Sequence, residues 1–163
     1  MFMRKVLQRI VTFVVAAACG IAVMGSTSEA AKKPYTDKDM KYMAAIIYCE
    51  AGNQSYAGKM GVGCVVMNRV NSSRFPNTVL KVIKQPGQFG PVRQGKFKRE
   101  VKNVERGKYS SGARRSCMKA AQEVLEGQTK VTYKGKKHNM KKYYFFNGRL
   151  SKPKLRIGGH QFK

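Results

Sequence analysis

The amino-acid sequence predicts a single domain of the α+β class that is mainly α, with a small β element toward its C-terminal end. Three long segments repeat apolar residues at the spacing of an amphipathic helix, and residues that favour helix N-caps precede two of them. An aromatic run typical of strands follows late in the chain. No internal repeat or flexible linker divides residues 31–163, so one domain long enough to bury a core is predicted.

Residues 1–30 have the composition of a secretory signal peptide. A short basic segment precedes an apolar stretch at 10–23, and small residues occupy the cleavage positions at 28–30. The apolar stretch is shorter than the roughly 20 residues that a spanning helix needs. An uncleaved N-terminal anchor is the alternative. In both cases residues 31–163 are predicted to be exported.

The charge of the chain indicates a polyanionic partner. The formal charge is +25, and removal of the predicted signal peptide leaves +23. For an exported protein the nearest polyanions are the phosphodiester and carboxylate groups of a Gram-positive wall, which predicts binding to anionic cell-wall polymers. Nucleic acid is a second candidate, without any sign of specific recognition. General solubility is the third explanation for part of the charge.

The cysteines and histidines indicate no metal site. Cys49, Cys64 and Cys117 remain after the signal peptide, and reduced, packed thiols are favoured over a bridge between Cys49 and Cys64. The histidines are His138 and His160, and no zinc-ligand spacing occurs. We therefore expect no metal or other cofactor, and we expect a monomer.

The first helix is predicted over residues 37–50. Thr36 and Asp39 form an acidic capping box, and apolar residues recur after it at helical spacing. Gly52 and Asn53 are predicted to end this helix.

A second helix is predicted over residues 56–70, starting at Ser55. It is apolar on nearly all sides, which is typical of a central, buried helix, and a buried strand is the alternative. Gly61 and Gly63 each cost a helix about 1 kcal/mol relative to alanine, so we expect them to mark close contact with a neighbouring element.

The rest of the chain alternates helical and irregular segments. A turn that ends in an N-cap precedes a short helix at 79–84. Residues 85–111 are predicted to be irregular, with short strands as an option, and such a long polar stretch is typical of a binding loop. A third long helix is predicted at 113–126, with Gly127 just past its end. The aromatic run at 143–146 is predicted to be β.

Glu50 stands out among the seven acidic residues of the predicted exported domain, because it alone follows an apolar stretch. It shares a helical face with apolar residues one and two turns earlier, at the end of the helix and beside a Gly-Asn loop. A carboxyl placed there loses water, which raises its pKa toward the range that a general acid needs. The alternative is a structural ion pair with an arginine such as Arg69. Glu100 and Glu105 are assigned to the polar loop.

Several motifs together resemble the spore-cortex-lytic family of cell wall hydrolases, the SleB/CwlJ type. In order, they are the block at 46–70, Phe75-Pro76-Asn77-Thr78, Val82-Ile83, Gly87-Gln88-Phe89, the run at 143–147 and the closing Gly158-Gly159-His160-Gln161-Phe162. The resemblance covers nearly the whole exported part and is most specific in its first block. It implies a lysozyme-like, lytic-transglycosylase-like fold and cleavage of the bond from N-acetylmuramic acid to N-acetylglucosamine. It also implies that the catalytic glutamate of the family falls on Glu50.

The sequence departs from the family pattern at Gln54, where many members have a second acid four residues after the catalytic one. Ordinary glycosidases need two carboxylates. A lytic transglycosylase needs one, because the attacking muramyl hydroxyl belongs to the substrate and its effective concentration is high. With Glu50 alone well placed, transglycosylation is favoured over hydrolysis.

Six further residues are candidates for binding the glycan. Gln54, Gln88, Asn147 and His160 are candidates for hydrogen bonds to sugar hydroxyl or acetamido groups. Phe89 and Tyr144 are candidates for stacking on sugar rings, although core packing is the stronger interpretation for both. Asn68, inside an apolar helix, is expected to bond across the core to a neighbouring loop.

Three alternatives to the transglycosylase remain. The same site could hydrolyse the glycan as a muramidase, or the domain could be a non-catalytic, basic wall-binding module. An extracellular nucleic-acid binder would fit the charge alone. Residues 52–59 faintly resemble a phosphate-binding loop, but one residue too many separates the glycines and Met60 stands where a hydroxyl is needed, so no nucleotide is expected.

Overall fold

Six helices precede five short strands in the computed structural model, which describes residues 34–163. The predicted signal peptide, residues 1–30, lies outside the described residues. The helices are α1 (Asp37–Ala51), α2 (Tyr56–Val70), α3 (Val79–Ile83), α4 (Gly90–Arg93), α5 (Lys96–Glu105) and α6 (Gly112–Leu125). The strands are β1 (Lys130–Tyr133), β2 (Lys136–Asn139), β3 (Phe146–Asn147), β4 (Leu155–Ile157) and β5 (His160–Phe162). The mainly helical α+β class is therefore confirmed. Among residues 34–163, no helix is long and apolar enough to cross a membrane.

The caps predicted for α1 and α2 are present. Thr36 Oγ1 accepts the N–H of Asp39 at 3.1 Å, and the Asp39 carboxylate accepts the Thr36 N–H at 3.1 Å, which is a complete capping box. Gly52 is the C-cap of α1, and the Ser55 hydroxyl accepts the N–H of Gly58 at the start of α2. A backbone bond at Gly52 and the Ser55 side chain thus set the two ends of the short connection between the helices.

Helix α2 is central and buried, as its composition predicts, and its glycines lie against other elements. A Cβ on Gly61 would stand 2.7 Å from the ring of Phe162 in β5. A Cβ on Gly63 would stand 2.9 Å from Val124 in α6 and 3.0 Å from Ile47 in α1. The predicted close contacts are confirmed, and they let α1, α6 and the C-terminal sheet pack directly on α2.

The prediction of an irregular loop over residues 85–111 is wrong, because most of this segment forms α4 and α5. Gly95 caps the N-terminus of α5 with a positive φ of 71°. In α5, Phe97, Val101 and Val104 follow helical spacing and pack on the core. The four lysines and arginines of α5 outnumber these three apolar residues, which conceals the stripe in the sequence.

The β part consists of two small sheets. Strands β1 and β2 form a hairpin that the sequence did not predict, closed by Lys134 and Gly135, both with positive φ. Strand β5 lies between β3 and β4, antiparallel to both. The aromatic run at 143–146 contributes only its last residue to a strand, although the backbone N–H groups of Tyr144 and Phe145 bond the Lys163 carbonyl.

Two predictions about buried polar and thiol groups hold. The Asn68 amide donates to the carbonyls of Met140 at 2.7 Å and Tyr143 at 2.8 Å, so it joins α2 to the chain between the two sheets. Cys49, Cys64 and Cys117 are free; Cys64 and Cys117 are buried and Cys49 is partly buried.

Candidate active site

Glu50 lies in the last turn of α1 and is half-buried. Residues one and two turns earlier on the same face, Met43, Ile46 and Ile47, are fully buried. This burial raises the pKa of the Glu50 carboxyl from 4.5 to about 7, because the charged form loses hydration. The direction of this shift agrees with the raised pKa predicted from the sequence. Near neutral pH a large fraction of this carboxyl is protonated.

The ion-pair alternative for Glu50 is wrong. Within residues 34–163, the four salt bridges do not involve Glu50. Arg69 is directed elsewhere: its Nε donates to the Tyr144 carbonyl at 2.8 Å. Its guanidinium is enclosed by the rings of Phe75, Phe89 and Phe145. The ring centroids lie 5.3 to 5.5 Å from the guanidinium carbon. Among the described residues, Glu50 is therefore a sheltered carboxyl without a salt-bridge partner.

Gln54 connects the end of α1 to the C-terminal sheet. Its Oε1 accepts the N–H of Gly159 at 2.9 Å, and its Nε2 donates to Asn53 Oδ1 at 3.1 Å. Gly158 has a positive φ of 56°, which favours glycine, and a Cβ there would stand 2.6 Å from Gln54 Oε1. The buried ammonium of Lys59 donates to the Gln54 carbonyl. The β4–β5 turn is thereby held beside the helix end that carries Glu50.

Beside this turn, contacts connect three of the predicted binding residues, Gln54, Asn147 and His160, into one stretch. His160 follows Gly159 directly, and Asn147 in β3 pairs with Gln161, the next residue of β5. Asn147 is exposed, and its Oδ1 accepts the Gly148 N–H at 2.6 Å. The described contacts do not link the exposed Gln88 to this stretch. The sugar-binding roles of Gln54, Gln88, Asn147 and His160 stay predictions.

The ring of His160 is half-buried against aromatic neighbours. It contacts Phe146 with centroids 5.2 Å apart, and Phe162 at 6.2 Å. Burial lowers the pKa of the imidazole, so His160 is neutral near pH 7, and its Nδ1 has no protein partner within the described residues. A neutral imidazole can both donate and accept a hydrogen bond.

The structure favours the packing interpretation for both predicted stacking residues. Phe89 is 4% exposed and contacts Phe146 with centroids 6.1 Å apart, so it offers no free face to a sugar. The stacking prediction for Phe89 is therefore corrected. Tyr144 is partly buried and lies parallel to Phe75 at 5.9 Å, with the Arg74 guanidinium 4.6 Å from its ring.

Glu100 was assigned to the polar loop, but it is a buried residue of α5, with 4% exposure. Its carboxylate accepts two bonds from Arg114, at 3.1 and 3.2 Å, and one each from Tyr109 and Asn103. Burial favours a higher pKa, but these hydrogen bonds and the Arg114 charge outweigh it and lower the pKa of Glu100. Glu50 and Glu100 thus have pKa values moved in opposite directions.

A concavity of about 550 Å³ lies away from Glu50, along α2, α6 and the chain after β2. Its lining includes Asn68, Val124, Lys141 and Tyr144 but no carboxyl group. Glu50 remains the candidate for acid–base chemistry, because proton transfer needs a titrating group. Within residues 34–163, His, Cys, Asp and Glu side chains form no group of three that could hold a metal ion.

The described residues form a small, mainly helical α+β domain in which Glu50, half-buried at the end of α1, has a raised pKa. A family profile described as cell wall hydrolase matches residues 53–163, so the chain belongs to the cell wall hydrolase family. The matched segment begins just after Glu50 and includes Gln54, Asn147 and His160.

Curated relatives match less than half of the chain. A spore cortex-lytic enzyme of Oceanobacillus iheyensis is 37% identical over 73 residues, which are 45% of this chain and 26% of that protein. A spore cortex-lytic enzyme of Bacillus cereus is 40% identical over 63 residues, or 39% of this chain and 24% of that protein. These alignments therefore span about a quarter of the length of the curated relatives.

Solved structures match the fold over most of the chain. The catalytic domain of the Bacillus cereus SleB protein has 25% identity and a TM-score of 0.57, covering 78% of this chain and 91% of that domain. The catalytic domain of the germination-specific lytic transglycosylase SleB from Bacillus anthracis has 26% identity and a TM-score of 0.56, covering 78% and 95%. The predicted lysozyme-like, mainly helical α+β fold is confirmed by these similarities.

Proposed function

We propose that this protein is a peptidoglycan lytic transglycosylase that cleaves the β-1,4 bond from N-acetylmuramic acid to N-acetylglucosamine, with Glu50 as general acid and base. One observation carries the proposal: burial without a nearby cation raises the pKa of Glu50 to about 7. A carboxyl that is partly protonated near neutral pH can first donate and then accept a proton, as this reaction requires. Membership of the cell wall hydrolase family supports peptidoglycan as the substrate.

In the first step, protonated Glu50 gives its proton to the oxygen that links the two sugars. The bond from this oxygen to C1 of the muramyl residue breaks, and positive charge develops at C1 and the ring oxygen. The departing N-acetylglucosamine keeps the proton as its hydroxyl group. Glu50 is left as a carboxylate that stabilises the developing charge.

In the second step, the Glu50 carboxylate takes the proton of the muramyl C6 hydroxyl. The C6 oxygen bonds to C1, which gives a 1,6-anhydromuramyl end and returns Glu50 to its protonated form. No water is consumed. Because the attacking hydroxyl belongs to the same sugar, its effective concentration is very high, so no second carboxylate is needed to position a nucleophile.

The surroundings of Glu50 support a mechanism that uses one catalytic carboxyl rather than two. Gln54 occupies the place of a second acid one turn later, and it is bonded to Gly159 and Asn53. Glu100 is fully engaged with Arg114, Tyr109 and Asn103, and its lowered pKa makes it a weak base. A hydrolysing muramidase would need a further carboxylate to activate water.

Gln54, Asn147 and His160 are proposed to bind sugar hydroxyl or acetamido groups on the C-terminal side of Glu50. The His160 imidazole is neutral because burial lowers its pKa, so it can both donate and accept in such a bond. Gln88 is exposed and remains a candidate at a more distant sugar. We further propose that the protein acts outside the cell as a monomer, on the vegetative wall or the spore cortex, and that this proton-transfer chemistry uses no cofactor.

The glycan ends that the enzyme leaves will test this proposal. Purified sacculi should be incubated with the protein, reduced with borohydride and analysed by mass spectrometry of the soluble muropeptides. We expect 1,6-anhydromuramyl ends, which borohydride does not reduce. Muramitol ends would identify a hydrolysing muramidase instead. Absence of soluble fragments, with the protein bound to the sacculi, would identify a non-catalytic wall-binding module.

A further inference from the structure

The C-terminal part of the chain is basic and has no acidic residues to balance its positive charge. Residues 127–163 contain eleven lysines and arginines and no aspartate or glutamate. This segment holds both small sheets, and within residues 34–163 none of its cations takes part in a salt bridge. A positive surface of this kind attracts polyanions in general, so a specific site must be sought where the lysines converge.

Three lysines converge around a concavity of about 320 Å³ between the end of β2 and the start of β4. Its lining consists of Asn139, Lys141, Lys142, Tyr143 and Lys154. The lysines are exposed, and Tyr143 is partly buried. None of these residues is a candidate site residue such as Glu50, Gln54 or His160.

The backbone around this concavity is well anchored. The Asn139 side chain accepts the Lys141 N–H at 3.1 Å, and Asn68 bonds the carbonyls on both sides of the two lysines, at Met140 and Tyr143. The Lys154 N–H donates to the Phe162 carbonyl at 2.9 Å. The fold therefore fixes the backbone positions of three lysines around one concavity, where an anion would offset the repulsion between their charges.

We propose that this lysine concavity binds the phosphodiester groups of an anionic, polyol-phosphate polymer of the cell wall. Lysine binds phosphate as a point charge, whereas a bidentate carboxylate site is typically built with arginine. Beyond the concavity, Lys130 pairs with Asn139 across the hairpin, and Lys137 lies on the same exposed face. These lysines extend the positive surface in the way that a repeating phosphate chain requires.

Nucleic acid fits this surface less well. Binding of single strands relies on aromatic side chains that stack on the bases. The only ring in the lining, Tyr143, is partly buried, and Phe162 packs edge-on against it at 6.2 Å. A backbone polymer without bases needs only the ammonium groups.

The inference rests on the wall location in the proposed function, but soluble polymer can test it without any glycan cleavage. Binding of deacylated poly(glycerol phosphate) should be measured by calorimetry at about 0.1 M salt, where screening acts beyond roughly 10 Å. The test variant is Lys141→Gln with Lys142→Gln and Lys154→Gln. The control has the same charge change at three exposed lysines elsewhere: Lys38→Gln, Lys102→Gln and Lys108→Gln.

We expect the test variant to weaken polymer binding by roughly tenfold or more, because it loses several charge-assisted contacts, and the control to weaken it far less. Equal losses in the two variants would show diffuse attraction and overturn the proposal. Equally tight binding of a duplex oligonucleotide of matched charge would overturn the assignment to a wall polymer. Circular dichroism of both variants should match that of the parent protein. Failure of the glycan cleavage assay would leave this binding result unaffected.

Discussion

The substitution Glu50→Gln should slow glycan cleavage by roughly a hundredfold to ten-thousandfold, the contribution of a general acid–base group. The amide keeps the size of the carboxyl but cannot donate its proton to the linking oxygen or take one from the C6 hydroxyl. We expect the rate of release of soluble muropeptides from sacculi to fall accordingly. The protein should still sediment with the sacculi, since its basic surface is unchanged.

A matched control for this variant is Glu126→Gln, which makes the same chemical change at an exposed residue after α6. Its rate of muropeptide release should equal that of the parent protein. Release by the Glu50→Gln variant at a rate close to that of this control would contradict the assignment of Glu50. Loss of sedimentation together with activity would instead point to a role in binding.

The substitution Glu100→Gln should lower the free energy of unfolding by roughly 2–3 kcal/mol, because it leaves the Arg114 guanidinium without its carboxylate and disturbs the bonds to Tyr109 and Asn103. We expect a smaller loss of stability than for a fully buried ion pair, since the Arg114 side chain is 32% exposed. Urea unfolding followed by circular dichroism at pH 7 measures the change.

Glu105→Gln in the same helix provides the comparison for this prediction. Glu105 pairs with Lys41 at 2.6 Å, but its side chain is 49% exposed, so water replaces the partner and little stability should be lost. If Glu100→Gln were no more destabilising than Glu105→Gln, the link from Glu100 in α5 to Arg114 in α6 would not stabilise the fold.

The helices could be predicted where local chemistry sets their ends. The Thr36 capping box, the Ser55 N-cap and Gly127 after α6 are each recognisable from the residues themselves. Helix α5 was missed because its apolar stripe is thin and its other positions are charged. The β1–β2 hairpin was missed for a related reason: its strands are rich in lysine, and only the Lys134–Gly135 turn reveals it.

The part of the candidate site that lies on helix α1 was predictable from the sequence. Glu50 and its buried face follow from the periodicity of α1 alone. Glu100 could not be recognised, because its burial depends on Arg114, fourteen residues later, and on a helix that the sequence conceals. Likewise, Phe89 is enclosed by Arg69 and Phe146, which come together only in the folded chain.

The most direct test is to measure the pKa of Glu50 in the folded protein. Carbon NMR of side-chain carboxyls in glutamate-labelled protein gives one titration per residue, and the signal that is missing from Glu50→Gln identifies Glu50. We predict a midpoint near 7, well above the ordinary value of 4.5. A midpoint close to 4.5 would mean that the carboxyl is ionised at neutral pH and unsuited to start the reaction as an acid.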